Sequence, residues 1–214
     1  MGNYTYVPKK IYKPTKLKLI ALINTVQRYL RHKFTFRVTF DFRFVGSSRR
    51  NMITMNPKSN VGYDFDLDLR IYARKKVLTP SEYKHMLMDA FNKFVHEYGY
   101  DYCEDNARVF TIKHKDEIKP KIIHSCDFAI VRDCDDGRLE YIRHHREHNT
   151  YFWEKQSIYP AELTKQVKFC KYYNLWNKVR SLYIKLKNEN TDPNVKSRSI
   201  YSQTVNQIYL KNIS

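Results

Sequence analysis

Apolar and polar positions change their period several times along the chain, and each change marks an element. Over residues 19–30, Leu19, Leu22, Ile23, Val26 and Leu30 recur at helical spacing behind Pro14-Thr15, which predicts a first helix starting at that proline. Phe34, Phe36, Val38, Phe40, Phe42 and Phe44 then alternate with Thr35, Arg37, Thr39, Asp41 and Arg43, the pattern of a strand with one apolar face, and the run ends in Val45-Gly46-Ser47-Ser48. Residues 51–62 are mixed and turn-rich, with room for a short helical turn at their start and a loop at their end. Residues 63–71 alternate again, with Asp64, Asp66 and Asp68 on one face and Phe65, Leu67 and Leu69 on the other. Thr79-Pro80-Ser81-Glu82 is a capping box with proline at the first helical position, and Tyr83, Met86, Leu87, Ala90, Phe91, Phe94, Val95 and Tyr98 keep helical spacing up to Gly99.

Two apolar runs, residues 108–113 and 121–131, flank a charged turn containing Pro120 and are expected to pair antiparallel. Asp127 lies inside the second run. Leu175, Val179, Leu182 and Leu186 predict one helix over residues 160–187, and the last 25 residues carry weak signals. The expected fold is α/β (α+β): a small mixed sheet with helices packed on it and a short C-terminal helical appendage. Residues 1–155 form the expected core, and residues 156–214 a basic helical extension packed on it.

Charge changes this picture by its distribution. The formal net charge is +17, yet residues 1–50 carry 12 Lys/Arg against one acid, residues 51–154 carry 16 against 18, and residues 155–214 carry 11 against three. A near-neutral, carboxylate-bearing centre between basic flanks suits an enzyme that holds cations in the middle and polyanion at the rim. A solvated charge on exposed helices is the plainer reading of the same numbers. Hydrophobic content of 42% with 15% aromatics argues against disorder. No run approaches the roughly 20 apolar residues of a membrane span, and Cys103, Cys126, Cys134 and Cys170 are scattered without a C-x-x-C pair. A cytoplasmic protein with reduced thiols and no membrane partner is expected.

The candidate chemistry rests on the acids. Aspartates at i and i+2 of a strand point to the same side and can grip the same ions, and a third acid on a neighbouring strand can complete the set. Asp64, Asp66 and Asp127 meet that need, although Asp66 with Asp68 is an alternative pair on the same face. Asp127 is flanked by Ile123, Phe128, Ile130 and Val131, and an acid in such a setting requires a partner such as a metal. Gly46-Ser47 at a strand exit lets backbone N–H groups approach phosphate.

In order, FRFVGSSRRN, YDFDLDLRI and IIHSCDFAIV resemble the Gly-Ser, paired-acid and third-acid signature of the DNA polymerase β-like nucleotidyltransferases. Over about residues 15–155 the likeness is to the branch holding oligoadenylate synthase, cyclic GMP-AMP synthase and the bacterial cyclic-oligonucleotide synthases. The resemblance implies that Asp64, Asp66 and Asp127 hold two Mg²⁺ or Mn²⁺ ions, with Asp127 helping to deprotonate an acceptor hydroxyl. It implies that Gly46 and Ser47 hold the triphosphate of an NTP; Ser48 and Arg49 beside them are further candidates for the same site, and Arg49 and Arg50 either clamp phosphate or are solvated. The gap from Ser47 to Asp64 is longer than usual, and Ser48-Arg49-Arg50-Asn51 replaces the usual Arg-Gly-Thr. Trp153 is expected in a loop after the third acid, and one of Lys165, Lys168 and Lys171 can reach triphosphate in such a fold.

The reaction this implies is transfer of NMP from NTP to a hydroxyl with release of pyrophosphate. The basic flanks favour RNA, such as a tRNA end, as the acceptor. A short or cyclic oligonucleotide messenger is the alternative product, a protein acceptor comes third, and a catalytically silent nucleic-acid-binding module is the rival from another class. A neutralising or activating protein partner stays open. His144, His145 and His148 with Cys134 match no usual zinc spacing and are expected as surface histidines in a charged loop.

Overall fold

After the two-residue strand β1 (Thr5–Tyr6), the first helix begins at Pro8 rather than at Pro14. The Pro8 carbonyl accepts from the N–H groups of Ile11 and Tyr12 (2.9 and 3.3 Å), and α1 (Lys9–Lys33) runs on through Pro14. Proline there sits in the second turn and forfeits a single backbone bond, the one owed to Lys10. Leu19, Leu22, Ile23, Val26 and Leu30 are its buried stripe.

The computed structural model describes residues 2–33, 38–73, 78–157 and 161–213. The phenylalanine alternation is seen as β2 (Val38–Val45); its expected start at residues 34–37 lies outside the described residues, as does the expected helix start at Pro160. A four-residue helical turn, α2 (Gly46–Arg49), and the short β3 (Thr54–Met55) lead to β4 (Tyr63–Ala73). α3 (Pro80–Asn92) starts at the expected capping box, with Thr79 Oγ1 accepting from the Glu82 N–H and the Thr79 N–H donating to Glu82 Oε2. It stops earlier than its periodicity suggests: residues 95–98 form a 3₁₀ turn that ends on Gly99 at φ 69°.

β5 (Glu104–Asp105), β6 (Phe110–Lys115), β7 (Ile122–Asp133), β8 (Leu139–His145) and β9 (Thr150–Lys155) complete one sheet with β2 and β4. Its order is β2-β4-β7-β6-β5, with β8 added to β7 and β9 to β8. The β4–β7 pairing is parallel and the others are antiparallel, so the sheet is mixed. The β8–β9 hairpin escapes the periodicity because it is half-exposed and charged, held partly by Arg143 Nη1 to Glu154 Oε1 at 2.8 Å.

Residues 7–54 and 59–156 form one compact unit, which holds the seven-stranded sheet with α1 and α3. The other unit, residues 1–6, 55–58 and 157–214, holds α4 (Ala161–Tyr172), α5 (Trp176–Glu189) and α6 (Ser197–Leu210). Where one helix was expected there are two. Asn174 adopts φ 56°, and the Leu175 N–H reaches the Cys170 carbonyl at 2.8 Å while that of Asn174 reaches Lys171 at 3.2 Å. This is a Schellman ending with asparagine in the place usually taken by glycine. α6 falls in the stretch expected to be helical but weak in signal: its buried stripe, Ile200, Tyr201, Thr204, Val205 and Ile208, is diluted by a hydroxyl residue and a tyrosine. Within the same unit Asn188 ties down the N-terminal segment, accepting from the Tyr4 N–H (2.6 Å) and donating to its carbonyl (3.0 Å). Among the described residues no helix is long and apolar enough to cross a membrane, and all four cysteines are free.

Candidate active site

Two apolar strand faces hold the acids in place. Phe65, Leu67 and Leu69 of β4 and Cys126 and Phe128 of β7 are at most 1% exposed, and Phe91 of α3 packs its ring on Phe110 and Phe128, at 5.2 and 4.8 Å. Burying each large apolar side chain contributes about 1.5–3 kcal/mol. A one-residue slip would turn all of them to the open face, so the register is strongly specified.

That register sets one row across the sheet. Val45 lies opposite Asp66, Asp66 opposite Asp127, Asp127 opposite Thr111, and Thr111 opposite Glu104. Neighbouring strands are about 4.8 Å apart, so the carboxylates of Asp66 and Asp127 share a small volume. Asp64 is one step along, opposite Ser125, whose hydroxyl donates to Asp64 Oδ1. Gly46 closes the row on the β2 side at φ +57°; a Cβ there would come to 3.0 Å from Asp66 Cγ and closer still to Oδ2.

Electrostatically the cluster is under-neutralised. Burial pushes the Asp66 carboxyl up to about 6, Asp127 and Asp64 push in the same direction, and the Arg50 charge opposes them. Asp127 is also raised, first by burial and then by Asp64, against the hydrogen bond from Thr111. The Arg50 and Lys113 charges act against this but do not offset burial and the crowding of acids at Asp66 and Asp127, so the cluster stays short of positive charge. The donors are all hard oxygens, the set suited to Mg²⁺ or Mn²⁺ rather than to a soft metal. On donor chemistry and charge the cluster fits divalent cations.

Asp68 shares the face of Asp64 and Asp66 but not their situation. It sits opposite Arg43, which donates to Asp68 Oδ2 at 2.8 Å, and it is only 7% exposed. Its charge is already matched. Asp68→Asn is therefore expected to lower the melting temperature yet leave Mn²⁺ affinity within a few-fold, whereas Asp64→Asn should abolish that binding. Calorimetric Mn²⁺ titration of both variants checks this; the reverse ranking would make Asp66/Asp68 the metal pair.

In the Gly-Ser turn, Ser47 offers its carbonyl to the N–H groups of Arg50 and Met52 (3.2 and 2.9 Å). Ser48 is buried, and its hydroxyl donates to the Val45 carbonyl at 2.9 Å. It holds the turn rather than facing outward. Arg49 is exposed, and Lys165, Lys168 and Lys171 are exposed on α4.

Two expectations need correcting. Trp153 is not in a loop: it lies in β9, with its ring 6.2 Å from that of Tyr83 and under the Arg132 guanidinium. His144 and His145 lie in β8, and only His148 is in the following turn; the charged loop they were expected in is a hairpin strand. Donor atoms of His145, Glu147 and His148 fall within 4.8 Å of one another. The two imidazoles are stacked nearly parallel, 4.7 Å apart at 8°. A metal ligated by imidazole lies near the plane of each ring, and near-parallel stacked planes do not meet at one ion. Thr111 and Ser125 were missed, although Ser125, two residues before Asp127, shares its face by simple alternation.

No protein-family model matches the sequence, and no curated protein matches it. Solved structures do. The Vibrio cholerae DncV cyclic AMP-GMP synthase, described as a prokaryotic cGAS homolog, aligns over 96% of this chain and 66% of its own with TM-score 0.60 and 12% identity. The same enzyme with the linear intermediate pppA(3′,5′)pG aligns over 96% and 66%, with TM-score 0.58 and 14% identity. Escherichia coli MS115-1 CdnC with ATP aligns over 94% of this chain and 62% of its own, with TM-score 0.55 and 17% identity. This chain spans 62–66% of the length of these neighbours. At such identities the likeness is one of fold alone, the mixed sheet with packed helices that these structures share.

Proposed function

We propose that this chain is a metal-dependent nucleotidyltransferase whose acceptor is itself a nucleotide, so that it makes a short or cyclic oligonucleotide from NTPs. The observation that carries the reading is the register of Asp66 against Asp127 in the parallel ladder, with Asp64 beside them and Gly46 against the Asp66 carboxylate. Asp64, Asp66 and Asp127 are the residues that would hold two Mg²⁺ or Mn²⁺ ions, which when bound supply positive charge to the attacking and leaving oxygens.

The rest falls to the chain's own groups. Gly46, Ser47 and Arg49 receive the triphosphate, with Ser48 holding the shape of their turn. Asp127 takes the proton of the acceptor hydroxyl. The acceptor oxygen bonds to the α-phosphorus, the α–β bridge breaks, and pyrophosphate leaves. Residues 156–214 act as a basic helical extension of the core at residues 1–155.

A nucleotide acceptor is favoured over RNA because the solved neighbours were captured with ATP or with pppA(3′,5′)pG. The RNA reading keeps one observation in its favour, the 11 Lys/Arg against three acids in residues 155–214 together with Tyr172 and Tyr173 exposed on that unit. The test is incubation with each α-labelled NTP and Mg²⁺ or Mn²⁺, with and without total RNA. Label in a small oligonucleotide is the expected result. Label in RNA transfers the assignment to an RNA acceptor and label in protein to a side chain. No incorporation, with wild type and Asp64→Ala/Asp66→Ala alike, leaves a silent nucleic-acid-binding module.

A further inference from the structure

We infer that Arg146, Asn106 and Thr111 form a one-way hydrogen-bond relay that aims Asp127 and thereby sets how tightly the acidic centre holds a divalent cation. The inference rests on the metal chemistry proposed above and makes the three residues positioning residues. Arg146 Nη2 donates to Asn106 Oδ1 at 2.9 Å, Asn106 Nδ2 donates to Thr111 Oγ1 at 2.9 Å, and Thr111 Oγ1 donates to Asp127 Oδ1 at 2.6 Å.

The direction of this chain is forced from both ends. A guanidinium has donors only, and an ionised carboxylate has acceptors only. Asn106 must therefore turn its carbonyl oxygen to Arg146 and its amide nitrogen to Thr111. With one lone pair of the Thr111 hydroxyl taken by Asn106, its proton has one productive direction, toward Asp127. Asp127 Oδ1 is held toward β6, and Oδ2 is the oxygen left for a cation.

The middle of the relay is held firmly enough to act this way. Thr111 is 5% exposed, so water is a poor substitute partner. The Asn106 backbone is fixed at both of its polar groups: its N–H donates to the Val109 carbonyl at 3.0 Å, and its carbonyl accepts from Lys84 Nζ at 2.6 Å. Lys84 is itself 1% exposed and paired with Asp105. The relay thus links the turn after β8, through the loop between β5 and β6, to the centre of the row of acids.

A role limited to tying that loop down predicts something different, and Asn106→Asp separates the two. Aspartate has the size and shape of asparagine and would pair with Arg146 more strongly, but it has no proton to give Thr111. The Thr111 hydroxyl would turn to donate to the new carboxylate and present lone pairs to Asp127. Second contacts of this kind are typically worth 10–100-fold in metal affinity.

The experiment measures Mn²⁺ affinity of the purified full chain without nucleotide, by electron paramagnetic resonance, together with kcat and KM for NTP and a thermal melt of each variant. Asn106→Asp and Thr111→Val should each weaken Mn²⁺ binding about 10-fold and lower kcat with KM little changed. Thr111→Ser should stay within about 2-fold, since it keeps the donor, and the double variant should be no worse than Thr111→Val alone. Normal Mn²⁺ affinity in a folded Asn106→Asp protein, or additive losses in the double variant, overturns the relay and leaves the nucleotidyltransferase reading standing. If wild-type protein binds no Mn²⁺ that Asp66→Asn removes, the metal reading fails and the relay with it.

Discussion

Asp66→Asn is expected to stabilise the protein without metal while reducing nucleotide transfer by at least about 10³-fold. The Asp66 carboxyl is pushed up to about 6 by burial and by two neighbouring acids, against about 3.9 in an unfolded chain. A raised carboxyl contributes its stability below the unfolded value, and that contribution is lost as pH rises through the folded one. Wild-type protein should therefore lose stability between about pH 4 and 6 from this group, while Asp66→Asn does not. Above pH 6 the variant should be more stable by on the order of 1–3 kcal/mol, or roughly 3–8 °C in Tm. Mg²⁺ should raise the Tm of wild type and leave the variant unmoved. Thermal melts across pH 4–8, with and without Mg²⁺, check all three statements; a variant less stable than wild type at pH 7.5 would mean that the Asp66 charge is satisfied within the chain.

Gly46→Ala carries the second largest expected effect. At φ +57° an alanine is strained by roughly 1–2 kcal/mol, and its methyl would stand where the Asp66 carboxylate now lies. The carboxylate must move away from Asp127 or the turn must open. Turnover should fall by 10²-fold or more, since a misplacement of about 1 Å costs that much in a positioned site, and Tm should drop by several degrees. Kinetics and melts of Gly46→Ala beside Gly62→Ala make the comparison. Gly62 also has no room, its Cβ meeting the Ile123 carbonyl, but it abuts backbone rather than an acid. Equal kinetic losses at equal stability would mean that the contact with Asp66 matters to turnover no more than any other close backbone approach.

What could be read in advance followed from how each residue differs from its surroundings. Asp127 stood out because it interrupts an apolar run, and β2 and β4 because their alternation is long and regular. Alternation alone treats Asp64, Asp66 and Asp68 alike. What separates them is Arg43, and that contact exists only once the β2–β4 register is known. Thr111 carried no signal, since a threonine in a strand is ordinary until its neighbour across the ladder is an acid. The hairpin β8–β9 was hidden by charges that pair across it, and the break between α4 and α5 by an asparagine doing what glycine usually does. The histidines were misplaced with the hairpin that carries them.

The parallel pairing of β4 with β7 has a consequence for the timing of folding. Asp64 and Ser125, which meet across it, are 61 positions apart in the chain, and a connection of that length must close before either strand gains its partner. Contacts of such range are formed late and slowly compared with helices and hairpins. On a ribosome, α1 and the antiparallel pair of β2 and β4 can assemble while β7 is still being made, so the acids of the first half wait unpaired with the third. Burial of the apolar faces of β4 and β7 and the meeting of Asp66 with Asp127 then arrive in one event. Favourable apolar collapse and unfavourable crowding of charge are locked to the same step, and a divalent cation present at that moment would be expected to hasten it.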